Sequence, residues 1–203
     1  MLSLIQRGRQ ERFSWLVQAI QHPGRPLRLL DVGGEWTYWR DMPWQQLLPV
    51  EITLLNLYKQ TVCPPFTAVV GDGRDLSRYA DRSFDVVYSH SVIGHVGDWT
   101  DQQRMARELQ RVGRLVVLQT PNHYFPIDWQ TMMPGFHFLP FEAQQWCLDR
   151  FRVGICPKGF TVDHARNLTR RELRMLFPAA RLRRERIAGF TKSFVVIHRD
   201  GTI

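Results

Sequence analysis

Cysteine is scarce: Cys63, Cys147 and Cys156 are the three in 203 residues. Odd in number and widely spaced, they provide neither a disulfide framework nor a pair at metal-ligand spacing, and they fit a reducing, cytoplasmic setting. Long apolar runs are missing as well. No segment reaches the roughly 18 uncharged apolar residues of a membrane span. The opening stretch MLSLIQRGRQER has no long apolar core ahead of its charges, so no signal peptide is expected there. Glycine is short where one ligand class would need it. After Gly33 the chain reads Gly34, Glu35, Trp36, Thr37, Tyr38, which breaks the Gly-x-Gly-x-x-Gly fingerprint of dinucleotide binders. A carboxylate at Glu35 would repel a pyrophosphate, which argues against NAD. A P-loop is absent from the sequence.

What is present describes a globular chain. At 203 residues, 44% of them hydrophobic, it is read as one domain, residues 1–203, able to bury a core without staples. Five apolar runs, LRLLDV, VEITLLNL, FTAVVGD, FDVVYSH and RLVVLQT, alternate with helical or loop segments, the pattern of a parallel sheet covered on both faces. Phe13, Leu16, Val17 and Ile20 form an apolar stripe on a first helix that Pro23-Gly24 stops. Thr100 with Gln103 reads as a capping box for a helix carrying Met105, Ala106, Leu109 and Val112, with Gly113 just past its end; Thr169 with Glu172 repeats the device. The end of the chain, RLRRERIAGFTKSFVVIHR, reads as two antiparallel strands turning around Gly189.

Two regions stand apart. Residues 121–168 hold five prolines and many aromatics, and we expect them to fold as a cap over the sheet, with a helix over Phe141–Phe151. From Arg150 to Arg199 there are eleven Arg and two Lys against Asp163, Glu172 and Glu185, which accounts for the whole net charge of +8. Such a third is either a solvated basic face or a surface for nucleic acid, acidic lipid or a phosphorylated substrate. The arginines of RLRRER lack the interleaved aromatics of a nucleic-acid stacking platform, so nucleic acid is the less favoured partner.

Taken in order, LLDVGG, LLNL, GDGRDL, FDVVYSHSVIGHV and ELQRVGRLVVLQTPN resemble the motifs of the class I S-adenosylmethionine-dependent methyltransferases, clearly over about residues 27–140 and by architecture in the final strand pair. The resemblance implies a Rossmann-like, mostly parallel seven-stranded sheet with helices on both faces and an antiparallel C-terminal pair. It implies S-adenosylmethionine as cofactor, bound outside the carboxyl ends of the strands by Asp31, Gly33, Gly34, Glu35, Asn56, Leu57, Asp72, Gly73, Arg74 and Ser89. In that reading Gly33 lets the backbone approach, Asn56 bonds the ribose, Asp72 accepts from the adenine amino group and Gly73 frees an amide toward the ring. Glu35 and Thr37 stand where the family carries glycines, and Glu35 would attract the cofactor's ammonium. Gly94-His95 replaces the family's frequent Glu-His, removing a ligand, so no metal is expected.

Methyl transfer to a hydroxyl needs a base, for which His90 and His95 after the fourth strand and His123 after the fifth are candidates. TPNHYF is unlike the Asn-Pro-Pro-Tyr stretch of relatives that methylate amino groups on nucleic acids. The expected acceptor is therefore an oxygen or carbon of a small molecule, sugar or lipid. The rival reading is a non-catalytic cofactor-binding or RNA-binding protein that kept the fold.

Overall fold

The computed structural model describes residues 2–21, 23–128, 130–161 and 165–200. Trp129 and residues 162–164, which fall within the expected cap, lie outside the described residues.

The five apolar runs become parallel strands β1 (Leu27–Val32), β2 (Val50–Asn56), β3 (Phe66–Val70), β4 (Phe84–His90) and β5 (Gly113–Pro121), and the chain end becomes β6 (Arg181–Ile187) and β7 (Phe190–Arg199). One sheet holds all seven in the order β3-β2-β1-β4-β5-β7-β6, antiparallel only where β7 meets β5 and β6. Gly189 turns the last pair at φ +84°, a left-handed backbone suited to glycine.

Why the strands read as continuous apolar runs follows from parity. Successive side chains point to opposite faces, and here both faces are covered. Leu27, Leu29, Leu115 and Val117 pack on one side with Phe13 and Leu16 of helix α1 (Leu2–Ala19) and Trp39 of the short helix α2 (Trp36–Arg40). Leu30, Val32, Val116 and Leu118 pack on the other with Met105, Ala106 and Leu109 of α3 (Trp99–Val112). Each such buried aliphatic side chain contributes about 1.5–3 kcal/mol. By the same parity Asp31 falls on the face of α1 and Trp39.

The α3 start differs from expectation. Asp98, not Thr100, is the N-cap, its carboxylate accepting from Asp101 N at 3.0 Å, and Thr100 sits inside the first turn. Aspartate is as good a cap as threonine, and the apolar stripe alone does not fix which one begins the turn. Thr169 does cap with Glu172 in both directions, opening α5 (Arg170–Leu176). Helix α4 (Phe141–Arg150) supports the cap, where Phe136, Leu148 and Cys156 form a small core of their own.

Candidate active site

Strand order reverses between β1 and β4, so a crevice opens beyond their carboxyl ends. The chain leaves β1 through Gly33 at φ +77°, and a Cβ there would run into the Val92 side chain. Gly33 N donates to Leu55 O at 2.7 Å. The Gly34 carbonyl accepts from Asn56 Nδ2 at 3.1 Å and Gln60 Nε2 at 2.8 Å, while Gln60 Oε1 accepts from Trp36 N at 2.9 Å. The exit of β2 therefore clamps the turn after β1.

Inside that turn lies a buried carboxylate. Asp31 Oδ2 accepts from Trp39 Nε1 at 2.6 Å, and Oδ1 has no hydrogen-bond partner. Burial pushes the Asp31 carboxyl up to about 7, against the pull of the Trp39 hydrogen bond.

Two cavities flank the turn. One of about 340 Å³ is lined by Arg9, Asp31, Glu35, Tyr38 and His90 among others; the second, about 280 Å³, is lined by Asn56, Leu57, Asp72, Gly73, Arg74 and His95 among others. Gly33, Glu35, Ser91 and Val92 line both, so they form one groove across the exits of β1 to β4. Glu35 stands exposed at its rim, Oε1 accepting from Tyr58 Oη at 2.6 Å and Oε2 from Thr37 Oγ1 at 3.1 Å. A third cavity of about 210 Å³ is lined by His95 and by Phe125, Ile127 and His137 of the cap segment, so His95 lines both the groove and this cap cavity.

A methyltransferase-domain family matches residues 41–115, which include the exits of β2, β3 and β4. No curated protein matches the sequence. Among solved structures, a SAM-dependent methyltransferase from Methanosarcina mazei superposes with TM-score 0.59 at 16% identity, over 90% of this chain and 95% of that one. This chain has the fold of the class I methyltransferases. A 1,6-didemethyltoxoflavin-N1-methyltransferase from Burkholderia thailandensis, solved with its substrate and S-adenosylhomocysteine, matches with TM-score 0.57 at 14% identity, over 94% of this chain and 77% of that one. The CMeT domain of citrinin polyketide synthase matches with TM-score 0.57 at 15% identity over 91% of this chain, which spans 49% of that one. The Methanosarcina neighbour is named SAM-dependent and the Burkholderia one holds S-adenosylhomocysteine, and the observed sheet of this chain is the one the resemblance implied.

Within the methyltransferase fold the expected cofactor residues divide. Asp31, Gly33, Gly34 and Glu35 line the first cavity, and Gly33, Glu35, Asn56, Leu57, Asp72, Gly73 and Arg74 line the second. Asn56 is already occupied in part, its amide donating to Gly34 O and its Oδ1 accepting from Leu57 N at 2.8 Å. Asp72 chelates the Arg74 guanidinium, with Nη2 at 2.7 Å, and that partner holds its carboxyl below the usual range. Ser89 is a correction. It is buried within β4 and donates to Val32 O at 3.0 Å, outside both cavities. Ser91, two residues on, lines both cavities in a left-handed backbone at φ 59°, its Oγ donating to Gln119 Oε1 at 2.7 Å.

The three histidines are not brought together. His90 lies in the first cavity, its ring 5.0 Å from that of Tyr38 and its buried Nε2 without a partner. Burial first, then Arg12 and Arg9, lowers it to about 3, so it is neutral and a weak base. His123, within the cap segment, lines a separate cavity of about 350 Å³ with Tyr124, His137 and Arg166, and burial lowers it too. Among the described residues no group of three His, Cys, Asp or Glu is placed to hold a metal ion. Arg9, Tyr38 and His137 line these cavities, and Tyr58 and Gln60 bond the turn after β1, though sequence reasoning singled out none of them. Arg9 stands on α1 with its guanidinium 5.9 Å from the Tyr38 ring, a position that only tertiary packing creates.

Proposed function

We propose that the protein transfers a methyl group from S-adenosylmethionine to an oxygen or carbon of a small molecule, sugar or lipid. The observation that carries this reading is the groove, with the unpartnered Asp31 Oδ1 at one end and the Gly73 turn at the other. A Cβ at Gly33 or Gly73 would collide with Val92 or Val32, so the backbone itself forms the walls. When bound, the cofactor supplies an electrophilic methyl group. Asp31 would receive its ammonium and Arg9, which has no carboxylate partner among the described residues, its carboxylate. Asn56 would face the ribose, and Asp72 with Gly73 the adenine. Glu35, tied to Tyr58 at the rim, leaves the groove open.

His95 is best placed of the histidines to take an acceptor hydroxyl proton, because it joins the cofactor groove to the cap cavity with its apolar Phe125 and Ile127 walls. Holding acceptor and methyl donor in one geometry supplies much of the rate. One structural neighbour is named for methylation at a nitrogen, so it is the cap and not the fold that must choose the acceptor.

Calorimetry tests the first step. S-adenosylmethionine and S-adenosylhomocysteine are expected to bind with micromolar affinity and NAD not at all; binding of NAD alone would overturn the reading. Transfer of label from methyl-labelled cofactor to a panel of hydroxylated and enolisable acceptors then tests the chemistry. His95→Ala is expected to lower kcat about 100-fold, within the usual range for losing a general base, and His90→Ala much less.

A further inference from the structure

Eight of the exposed large apolar side chains lie between Tyr124 and Phe160, all in the cap. Trp146, Phe151 and Ile155 are 53%, 56% and 59% exposed, more than a folded interior surface explains. The rings of Trp146 and Phe151 lie 6.1 Å apart, and Ile155, bonded through its N to Thr131 O at 3.0 Å, sits beside the loop that carries Met133. Basic residues are interleaved with them. Arg150 lies over the Trp146 ring at 5.2 Å, Arg152 follows Phe151, and Lys158 precedes Phe160. Over residues 146–160 the one acid is Asp149, which is held by Gln145 Nε2 at 2.9 Å. Arg150, Arg152 and Lys158 have no carboxylate partner among the described residues.

We propose that this face of the cap docks on an anionic lipid bilayer, with Trp146, Phe151 and Ile155 entering the headgroup boundary and Arg150, Arg152 and Lys158 paired to lipid phosphates. Charge complementarity selects this occupant: cations with no carboxylate partner among the described residues, on flexible stems around indole and phenyl rings, suit a surface that is apolar inside and anionic at its rim. A second copy of the chain would bring like charges together. The cavities point the same way. Leu139 and Phe141 line a cavity of about 190 Å³ that shares His137 and Asn167 with the cap cavity, which in turn shares His95 with the cofactor groove. The cap cavities are thus neighbours of one another and of the groove. Among the described residues no helix is long and apolar enough to cross a membrane, so the contact is peripheral.

Sedimentation of the full chain with phosphatidylcholine vesicles, with and without phosphatidylglycerol, tests the docking without cofactor or acceptor, so its outcome is separate from that of the cofactor titration. The expected result is binding to the anionic vesicles alone at low salt. Replacing Arg150, Arg152 and Lys158 together by alanine is expected to weaken binding about 100-fold, at the usual gain per basic residue near such a surface. A Trp146→Ser, Phe151→Ser, Ile155→Ser variant is expected to lose binding while keeping the wild-type circular dichroism and cofactor affinity. Wild-type binding by either variant, no binding by the wild type, or a concentration-dependent dimer in analytical ultracentrifugation that the apolar variant abolishes would each overturn the proposal.

Discussion

Asp31 keeps one buried oxygen that Trp39 has not taken, and this gives the protein a pH dependence of known sign. Its carboxyl titrates near 7 when folded, above its ordinary value of 3.8, so the folded state holds a proton the unfolded chain would release. The stability it contributes is full below about pH 4 and lost as pH rises through about 7. Asp31→Asn is therefore expected to stabilise the ligand-free protein at pH 8 by roughly 2–4 kcal/mol relative to pH 4, read from urea midpoints. Cofactor binding has the opposite slope: an ammonium needs the ionised form, so affinity should rise with pH up to about 7 and then level off. Asp31→Asn should remove that slope and cost roughly 1.5–3 kcal/mol of binding, the range for a hydrogen bond to a charged group. Glu35→Gln, at the exposed rim, should cost less, and Glu35→Gly should gain nothing because no side chain blocks the groove; the reverse order in a titration would move the ammonium to Glu35. Asp31 and Gly33 could be placed side by side from the sequence because only Val32 separates them at the exit of β1. Ser91 lines the groove where Ser89 was expected, because strand identity is local, whereas the point at which β4 stops facing the core is set by its neighbours.

The elements themselves were the most legible part, since each strand's apolar run needs no knowledge of its partners. What holds α1 was not. Arg12 is buried and donates to Glu185 Oε2 at 2.7 Å; Glu185 also accepts from Lys192 Nζ at 3.0 Å and Ser193 Oγ at 2.5 Å. These residues lie at opposite ends of the chain, and in sequence Glu185 looks like one acid in a basic strand. Gly8 passes so close that a Cβ would stand 2.7 Å from the Glu185 carboxylate. The network sets where α1 lies, and with it Arg9, one turn away over the first cavity. Glu185→Ala leaves Arg12 as a buried uncompensated cation and is expected to destabilise by about 3–5 kcal/mol in denaturant unfolding. It should also weaken cofactor binding, although Glu185 lines neither cavity of the groove. Retained affinity would mean that Arg9 does not hold the cofactor.

At the scale of the whole molecule, the sheet order explains why sequence motifs spread over residues 31 to 95 converge: β1 and β4 are neighbours although two strands separate them in sequence. The convergence could be expected from strand order alone; the cavities could not, because the cap's packing depends on side chains from residues 121–168 finding each other without a repeating pattern. The same order leaves β6 outermost, paired only with β7. An outermost strand offers a row of unpaired amide and carbonyl groups to any passing chain, and natural proteins guard such rows with charge. Arg181, Arg183, Arg184 and Arg186 stand on this one. Part of the basic excess thus keeps molecules from adding to one another's sheets. Replacing Arg181, Arg184 and Arg186 by threonine, a good strand former, should leave folding and cofactor affinity intact and yet bring turbidity that grows with protein concentration, whereas the wild type stays clear until salt screens its arginines.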